Sequence, residues 1–340
     1  MREDEFTELA ASYQTELRAH CYRILGSVHD AEDALQEALV RAWKGIDRFE
    51  GRASVRSWLY AIATNTALDI TRHRSRREFA VDLGAPAALG AELGQAQTEL
   101  PWLEPFPDRW LTPVAEPSPE ARYEHRESIE LAFVAAVQHL PPLQRAALLL
   151  REVAGFSAAE IAGQLGTSAA SVTSALQRAR VTMAARGPAG SQQSALRGRG
   201  DARTRELVRQ YADAMENGDI DALVGMLTED VTWSMPPVPT WFRGLGPVRD
   251  FLLRYPLTDR WRHRPTGANG QPAVAGYLYD EDVSRFIPAS IDVLTLSADG
   301  ERIAAVTGFL TADLVGADEA GGWISGAELF ARFGLPADPP

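Results

Sequence analysis

The segment Ser157-Ala-Ala-Glu160-Ile-Ala-Gly-Gln-Leu165-Gly166-Thr-Ser168-Ala-Ala-Ser171-Val-Thr-Ser-Ala-Leu176-Gln-Arg-Ala-Arg180 carries two sets of helix-start signals around one glycine. Ser157 and Glu160 form a capping box, in which hydroxyl and carboxylate each satisfy a backbone N–H left open at a helix start. Ile161, Ala162 and Leu165 give the short first helix an inner face. Gly166 supplies backbone freedom for a tight turn, Ser168 caps a second helix, and Val172, Leu176 and Ala179 face back. Two short helices joined by a glycine turn make a helix-turn-helix, whose second helix brings its N-terminal residues to base edges in a DNA major groove. Ser168, Ser171, Thr173 and Ser174 stand there and include no arginine or amide for bidentate base reading. Gln177, Arg178 and Arg180 are the DNA contacts further along, followed by Arg186. The competing reading is an ordinary helical hairpin within a bundle.

Immediately upstream, Ile129, Phe133, Ala136 and Leu140 form a helical stripe, Pro141-Pro142 forces a break, and Gln144–Val153 is the next helix. Further back, residues 6–77 read as helical throughout. Phe6, Leu9, Tyr13, Leu17, Cys21 and Ile24 recur at three- and four-residue steps. Gly26-Ser27 interrupts, and Asp30 is placed to cap a second helix that turns Ala31, Leu35, Leu39 and Ala42 inward. Its other face is acidic, with Glu32, Asp33 and Glu37. Ser54 caps a third helix with Val55, Trp58, Leu59, Ile62, Ala63 and Thr66 as its buried side. That helix ends in Arg72-His73-Arg74-Ser75-Arg76-Arg77, a cluster able to neutralise several phosphates. Before it, Arg52, Arg56, Trp58, Tyr60 and Asn65 offer groups that stack on and bond to unpaired bases. Trp58 has an equally direct structural reading, since it shares the stripe of Leu59 and Ile62.

Between these helical blocks, residues 79–119 show no periodicity, hold prolines at 86, 101, 105, 107, 113, 117 and 119, and carry six acidic groups against one basic. They read as an acidic, proline-rich linker with one anchored patch, Trp102-Leu103-Glu104-Pro105-Phe106. Residues 187–202, rich in Gly, Ser, Gln and Arg, read as a second linker. Beyond it the pattern changes. Amphipathic helices at about 204–217 and 219–228 lead into the alternating strand Val231–Met235; a helix near 246–254 precedes β-rich runs at 273–279, 285–296 and 302–312. Helices followed by a long antiparallel sheet indicate an α+β domain.

The chain has 340 residues and a net charge of −12, which taken globally argues against nucleic acid. The excess is local. Residues 1–78 carry 12 basic and 13 acidic groups and 120–186 carry 7 and 6, whereas 201–340 carry 12 and 21. The single cysteine, Cys21, excludes a disulfide framework and a thiolate zinc site, and the six histidines show no ligand-type pairing, so no metal or cofactor is expected. No apolar run approaches the roughly 20 residues of a membrane span, and the N-terminus lacks an apolar signal core. The expectation is a cytoplasmic protein without membrane partners.

Asp30-Ala-Glu-Asp-Ala-Leu-Gln-Glu37 with Arg41-Ala-Trp43, then Arg56-Ser-Trp-Leu59 with Ile62-Ala-Thr-Asn65, then Leu140-Pro-Pro-Leu-Gln-Arg145 ahead of the helix-turn-helix, resembles the bacterial RNA polymerase sigma factors of the extracytoplasmic-function group, which keep only regions two and four. The resemblance covers about residues 6–77 and 125–186. It implies that Asp30, Glu32, Asp33, Gln36 and Glu37 dock on the coiled coil of the largest subunit of core RNA polymerase. An acidic face suits a basic coiled coil on electrostatic grounds as well. It further implies that Arg52, Arg56, Trp58, Asn65, Arg72, Arg74, Arg76 and Arg77 serve capture of the −10 promoter element. Residues 168–180 would read the −35 element, and region four would touch the polymerase flap. Tyr211–Leu223, Leu227–Trp233 and the strand run resemble the SnoaL-like, nuclear-transport-factor-two-like cone fold. Trp233-Ser-Met-Pro-Pro237, Trp241-Phe-Arg-Gly244, Ala268-Asn-Gly-Gln-Pro272 and Phe333-Gly-Leu-Pro336 look like signatures of the sigma factors that carry such a tail. A concave sheet is the usual place for a small-molecule ligand. Trp233, Met235, Trp241 and Phe242 are candidate lining, and Asn269 and Gln271 candidate polar contacts.

The resulting expectation is a multi-domain chain: two all-α sigma domains, at 1–78 (region two bundle) and 120–186 (region four helix-turn-helix), followed by an α+β cone at 203–336 that modulates their activity. It is read as an initiation factor and not an enzyme. Two other classes fit parts of the pattern. One is a one-component DNA-binding regulator with a ligand-sensing tail, which would not need the acidic helix. The other is a SnoaL-like cyclase or isomerase with a helical regulatory part, for which Asp230 and Asp292 are the candidate acid-base groups.

Overall fold

A computed structural model describes residues 3–49, 51, 53–72, 75–111, 126–187, 190–316 and 323–338. It resolves into two units, Met1–Arg77 with Trp110–Ala189 and Glu78–Arg109 with Gly190–Pro340.

In the first unit, α1 (Glu3–Leu25) buries Leu17, Cys21 and Ile24, as their spacing predicts. Gly26 turns the chain at φ +66°. The cap of α2 (Val28–Gly45) is Ser27, whose Oγ accepts from Asp30 N at 3.1 Å, and not Asp30 as expected. Ala31, Ala34, Leu35 and Ala38 are the buried side of α2. Ser54 does cap α3 (Val55–Thr71), where Leu59, Ala63 and Thr66 are buried and Trp58 lies half-buried with its ring 4.9 Å from that of Phe49. Each large apolar side chain withdrawn from water in this bundle contributes roughly 1.5–3 kcal/mol before chain entropy is subtracted.

The same unit holds α4 (Leu131–Gln138) and α5 (Pro142–Leu148), divided by the two prolines, with Pro142 in the first turn of α5, where no N–H partner is needed. A wider turn at Leu149–Val153 extends α5. The capping box closes α6 (Ala158–Gln164) from both sides, at 2.8 Å for Ser157 N to Glu160 Oε2 and 3.3 Å for the reverse bond. Gly166 sits at φ +61°, and Ser168 caps α7 (Ala169–Arg186), which buries Val172, Ala175, Leu176 and Ala179. Arg145 locks the helical blocks together. Its buried guanidinium donates to Ile24 O at the end of α1, to Gln138 Oε1 at 2.7 Å, and to Gln138 O and Leu140 O at 2.8 and 3.2 Å.

The second unit is a six-stranded sheet in the order β2-β1-β6-β5-β4-β3. Its strands are β1 (Leu227–Met235), β2 (Val238–Arg243), β3 (Trp261–Ala268), β4 (Gln271–Asp280), β5 (Arg285–Leu296) and β6 (Ile303–Leu310). The β1–β6 pair is parallel and the others antiparallel. Helices α8 (Gln192–Arg199), α9 (Asp201–Asn217), α10 (Ile220–Met226) and α11 (Leu245–Arg254) precede or interrupt the strands, and α12 (Gly326–Phe333) follows them. The apolar faces of α9 and α11 meet the sheet through Tyr211, Met215, Val248 and Phe251.

Of the two stretches expected to be linkers, residues 79–109 and 190–202 belong to this unit and bond to its sheet. Trp102, Leu103 and Phe106 are fully buried; Phe106 N donates to Asn269 Oδ1 at 2.9 Å, and Asn269 N donates back to Phe106 O at 2.8 Å. Gly270 N donates to Asp108 Oδ1 at 2.7 Å, and Ala87 N to Trp241 O at 2.7 Å. Residues 78–109 therefore form a strap belonging to the C-terminal unit, ordered by tertiary bonds without any periodicity of their own. In the other expected linker, Gln192 clamps β5 at Leu296, donating to its carbonyl at 3.0 Å and accepting from its N–H at 2.7 Å.

Candidate functional site

The acidic side of α2 is open to solvent at Asp33, Gln36 and Glu37, with Glu32 half-buried. Asp30 stands apart. Only 1% exposed, it is ion-paired with Arg77, so its carboxylate serves the interior and cannot reach a partner from this position. Two side chains extend the acidic stripe that the sequence reading did not assign: Val40 and Trp43, 45% and 40% exposed. The signal was present, since neither belongs to the Ala31–Leu35–Ala42 stripe. Glu37 is bridged to Arg41 at 2.8 Å, and Arg41 reaches Asp69 of α3 at 3.4 Å, which fixes the two helices at this surface.

The face of α3 is hydrogen-bonded to the helix-turn-helix segment, with Arg56 and Trp58 half-buried and Asn65 exposed. Asn65 Nδ2 donates to Gln164 O at 3.0 Å, and Gln164 Nε2 donates to Ser57 Oγ at 2.9 Å. Arg56 donates to Ala154 O at 2.9 Å and pairs with Glu16 at 3.2 Å, its guanidinium lying over the rings of Tyr60 and Phe156 at 4.7 and 5.1 Å. The basic residues are dispersed, because α3 ends at Thr71. Arg72 is exposed and pairs with Asp69 at 3.3 Å, Arg76 donates to His139 Nδ1 at 2.6 Å, and Arg77 is committed to Asp30. Arg52 and Arg74 lie outside the described residues. Among the described residues, Arg72, Arg76 and Arg77 each turn to a different partner and do not make the single phosphate-facing cluster that their spacing predicts.

On α7, Ser168, Thr173, Ser174, Gln177, Arg178 and Arg180 are exposed and Ser171 is half-buried. Arg180 is held by Glu152 at 2.5 Å, in a pair open enough to water to exchange readily for phosphate.

The C-terminal unit contains a cavity of about 340 Å³. Trp233 and Met235 line it, joined by Phe251, Tyr255 and Trp261. Trp241, Phe242, Asn269 and Gln271 do not. Trp241 packs on Ala80 and Trp102 and donates its indole N–H to Gly84 O at 3.0 Å; Phe242 stacks on Phe251 in the core. Asn269, at φ +56° in the β3–β4 turn, anchors the strap, and Gln271 donates to Thr295 Oγ1 at 3.0 Å. Polar groups from distant strands converge on the cavity instead: His263, Ser290 and Asp292. Tyr211 donates to Asp292 Oδ2 at 3.1 Å. Burial pushes the Asp292 carboxyl up to about 6, against the pull of bonds from Ser290 and Tyr211. Burial also lowers the His263 imidazole to about 4, and its Nδ1 has no partner. Asp230, the other candidate acid, does not line this cavity. Among the described residues no group of His, Cys, Asp and Glu is arranged to hold a metal ion.

Known proteins share these parts in the same order. Sigma-70 region 2 matches residues 9–77, Sigma-70, region 4 matches 130–183, and the SnoaL-like domain matches 208–306. The chain is 39% identical to the ECF RNA polymerase sigma factor SigG of Mycobacterium tuberculosis, over 98% of its own length and 85% of the relative's. It is 30% identical to SigJ of the same species, over 81% and 80% of the two lengths. The fold is similar to the crystal structure of that extracytoplasmic function sigma factor SigJ, with a TM-score of 0.56 at 23% identity, covering 98% of this chain and 99% of the other.

Proposed function

The chain belongs to the ECF RNA polymerase sigma factors, and on that premise we propose that α2 is its grip on core polymerase while α3 and the helix-turn-helix are its grip on promoter DNA. The docking set is Asp33, Gln36 and Glu37 with Glu32, meeting the basic coiled coil of the largest subunit through charge complementarity. Val40 and Trp43 add apolar area beside the charges, the arrangement by which a few anchors carry most of a binding energy. Asp30 leaves the docking set and becomes a structural residue. Arg56, Trp58 and Asn65, with Arg52, capture unpaired bases of the −10 element. Ser168, Ser171, Thr173, Ser174, Gln177, Arg178 and Arg180 face the −35 duplex, with Arg178 and Arg180 on phosphate. Region four also touches the polymerase flap.

The observation that carries this reading is the exposed acidic and apolar stripe of α2 on the same unit as a fully capped helix-turn-helix. The bonds that Asn65 and Arg56 donate to Gln164 and Ala154, and the one that Ser57 accepts from Gln164, support a resting state in which free protein holds its base-capturing face against the helix-turn-helix segment. Core polymerase then favours the open arrangement by binding it better. The C-terminal unit modulates this equilibrium, and its cavity takes a small-molecule ligand. No helix among the described residues is long and apolar enough to cross a membrane, and we place the chain in the cytoplasm, where core polymerase works. We assign it no catalytic turnover. Co-elution with purified core polymerase tests the docking surface: wild-type protein should travel with the catalytic subunits and the Asp33→Arg, Glu37→Arg variant should not. Undiminished co-elution of a folded variant would remove α2 from the interface.

A further inference from the structure

Arg145 is a buried cation that pairs with no carboxylate among the described residues. It is 6% exposed, and its acceptors, Ile24 O, Gln138 Oε1, Gln138 O and Leu140 O, are all uncharged amide oxygens. Its buried Nε has no hydrogen-bond partner. A charge withdrawn from water without an opposite charge beside it is costly, and an anion that reaches it relieves the cost. Burial, together with the neighbouring Arg76 guanidinium, pulls Arg145 down to about 10.

Arg145 lines a recess of about 350 Å³ in the first unit, as do Arg76, Arg77, His139 and Asp30. Asp30 is already paired with Arg77, and the His139 ring accepts from Arg76 at 2.6 Å. Three guanidiniums thus face one carboxylate, an excess of two positive charges. Arg145 and Asp30 are buried, Arg77 is half-buried, and Ser75 and Arg76 are exposed at the mouth. Guanidinium forks match phosphate oxygens in pairs. A terminal phosphate carries about −1.5 to −2 at pH 7 and meets the excess of two, whereas a carboxylate brings one charge. A phosphodiester within a polymer has a sugar on both sides; a terminal phosphate enters such a recess end first. The walls come from both helical blocks, through Ile70 and Thr71 at the end of α3 and His139 and Leu140 between α4 and α5.

We propose that this recess binds the terminal phosphate or diphosphate of a small molecule, held by Arg76 at the mouth and Arg145 at the inner end, and that the bound anion ties region two to region four. This goes beyond the polymerase and promoter roles and does not rest on them.

Inorganic pyrophosphate, free of divalent metal, is the probe, titrated by calorimetry into the full-length protein. Saturable, one-to-one binding is expected. Arg76→Gln removes a guanidinium at the exposed mouth and Ser75→Glu adds a carboxylate there; each should weaken binding about tenfold, and the second serves if the first does not fold. No binding, or unchanged affinity in the folded variants, would overturn the site. Succinate binding as tightly as pyrophosphate would overturn the phosphate class. Thymidylyl-(3′→5′)-thymidine, whose phosphate lies between two sugars, should bind weakly; binding at least as tight as that of pyrophosphate would give the arginines to a DNA backbone and overturn the terminal group. Hydrogen exchange with and without pyrophosphate should slow the amides of Ile70 and Thr71 and those of His139 and Leu140 about threefold. Slowing on one side alone would overturn the tie between the regions. No polymerase is present, so none of these failures bears on initiation.

Discussion

Asn65 and Gln164, ninety-nine residues apart, join α3 to the helix-turn-helix: the Asn65 amide donates to the Gln164 carbonyl at 3.0 Å, and the Gln164 side chain continues to Ser57 at 2.9 Å. A residue assigned to unpaired promoter bases is therefore hydrogen-bonded within the protein, although it stays exposed to solvent. Under the proposed function, a partner that binds an open arrangement must supply the free energy of breaking these bonds, and core polymerase would be that partner.

Gln164→Ala tests this closure. Losing the buried bond to Ser57 should cost about 1 kcal/mol of stability. If the closed state competes with DNA, affinity of the free protein for a single-stranded −10 oligonucleotide should rise about fivefold. Fluorescence anisotropy reads the affinity and urea denaturation the stability; a lower stability with unchanged affinity would show that closure does not compete.

Asp30 and Asp33 should separate cleanly. Asp30→Ala leaves the largely buried Arg77 without its carboxylate and should destabilise the protein by about 3 kcal/mol. Polymerase binding by the folded fraction should not change. Replacing exposed Asp33 should do the reverse, weakening co-elution with core at unaltered stability.

Asp292 gives a pH signature. Its folded value, raised to about 6, means that its favourable contribution is complete below the unfolded carboxylate range and is lost as pH rises through 6. Asp292→Asn stays neutral throughout and should gain on wild type between about pH 4 and pH 7, by up to about 3 kcal/mol. His263, lowered to about 4, acts with the opposite sign, favourable above the unfolded imidazole range and lost on acidification. It is common to both proteins, so the difference isolates Asp292. Urea denaturation across this range that gives a flat difference would contradict the buried, raised carboxyl.

Removing the C-terminal unit should harm the rest of the chain. A protein stopped at Gly187 retains Trp102, Leu103 and Phe106 but not the sheet that buries them. It should bind a hydrophobic dye and aggregate at concentrations where full-length protein is monodisperse. A further Phe106→Ser, Trp102→Ser change should restore solubility; an equally soluble unmodified truncation would mean the strap does not need the sheet.

What the sequence disclosed was local. Ser157, Glu160, Gly166 and Ser168 act within a few residues of themselves, and the helix-turn-helix stands where their spacing predicts. The two strands that the pattern missed, β2 and β3, are the edges of the sheet and hold Pro239 and Pro265, a residue that edges tolerate and that disrupts alternation. The strap has the pattern of a linker because its order comes from partners such as Asn269, more than a hundred and fifty residues away. Separation along the chain hides the role of Asp30 as well, since its partner Arg77 stands 47 residues away in a basic run that resembles a DNA contact. Trp241 and Phe242 look like Trp233 in sequence; register sets Trp241 opposite Ser234, on the other face of the sheet, while Phe242 lies opposite Trp233 and is kept from the cavity by its packing on Phe251.

The acidic stripe of α2 is most directly tested by run-off transcription with purified core polymerase, comparing wild type with the Asp33→Arg, Glu37→Arg variant at matched thermal stability. Wild-type protein should start transcripts from a cognate promoter, and the variant should lose at least tenfold in yield. Equal yields from both would contradict the claim that these carboxylates hold the polymerase.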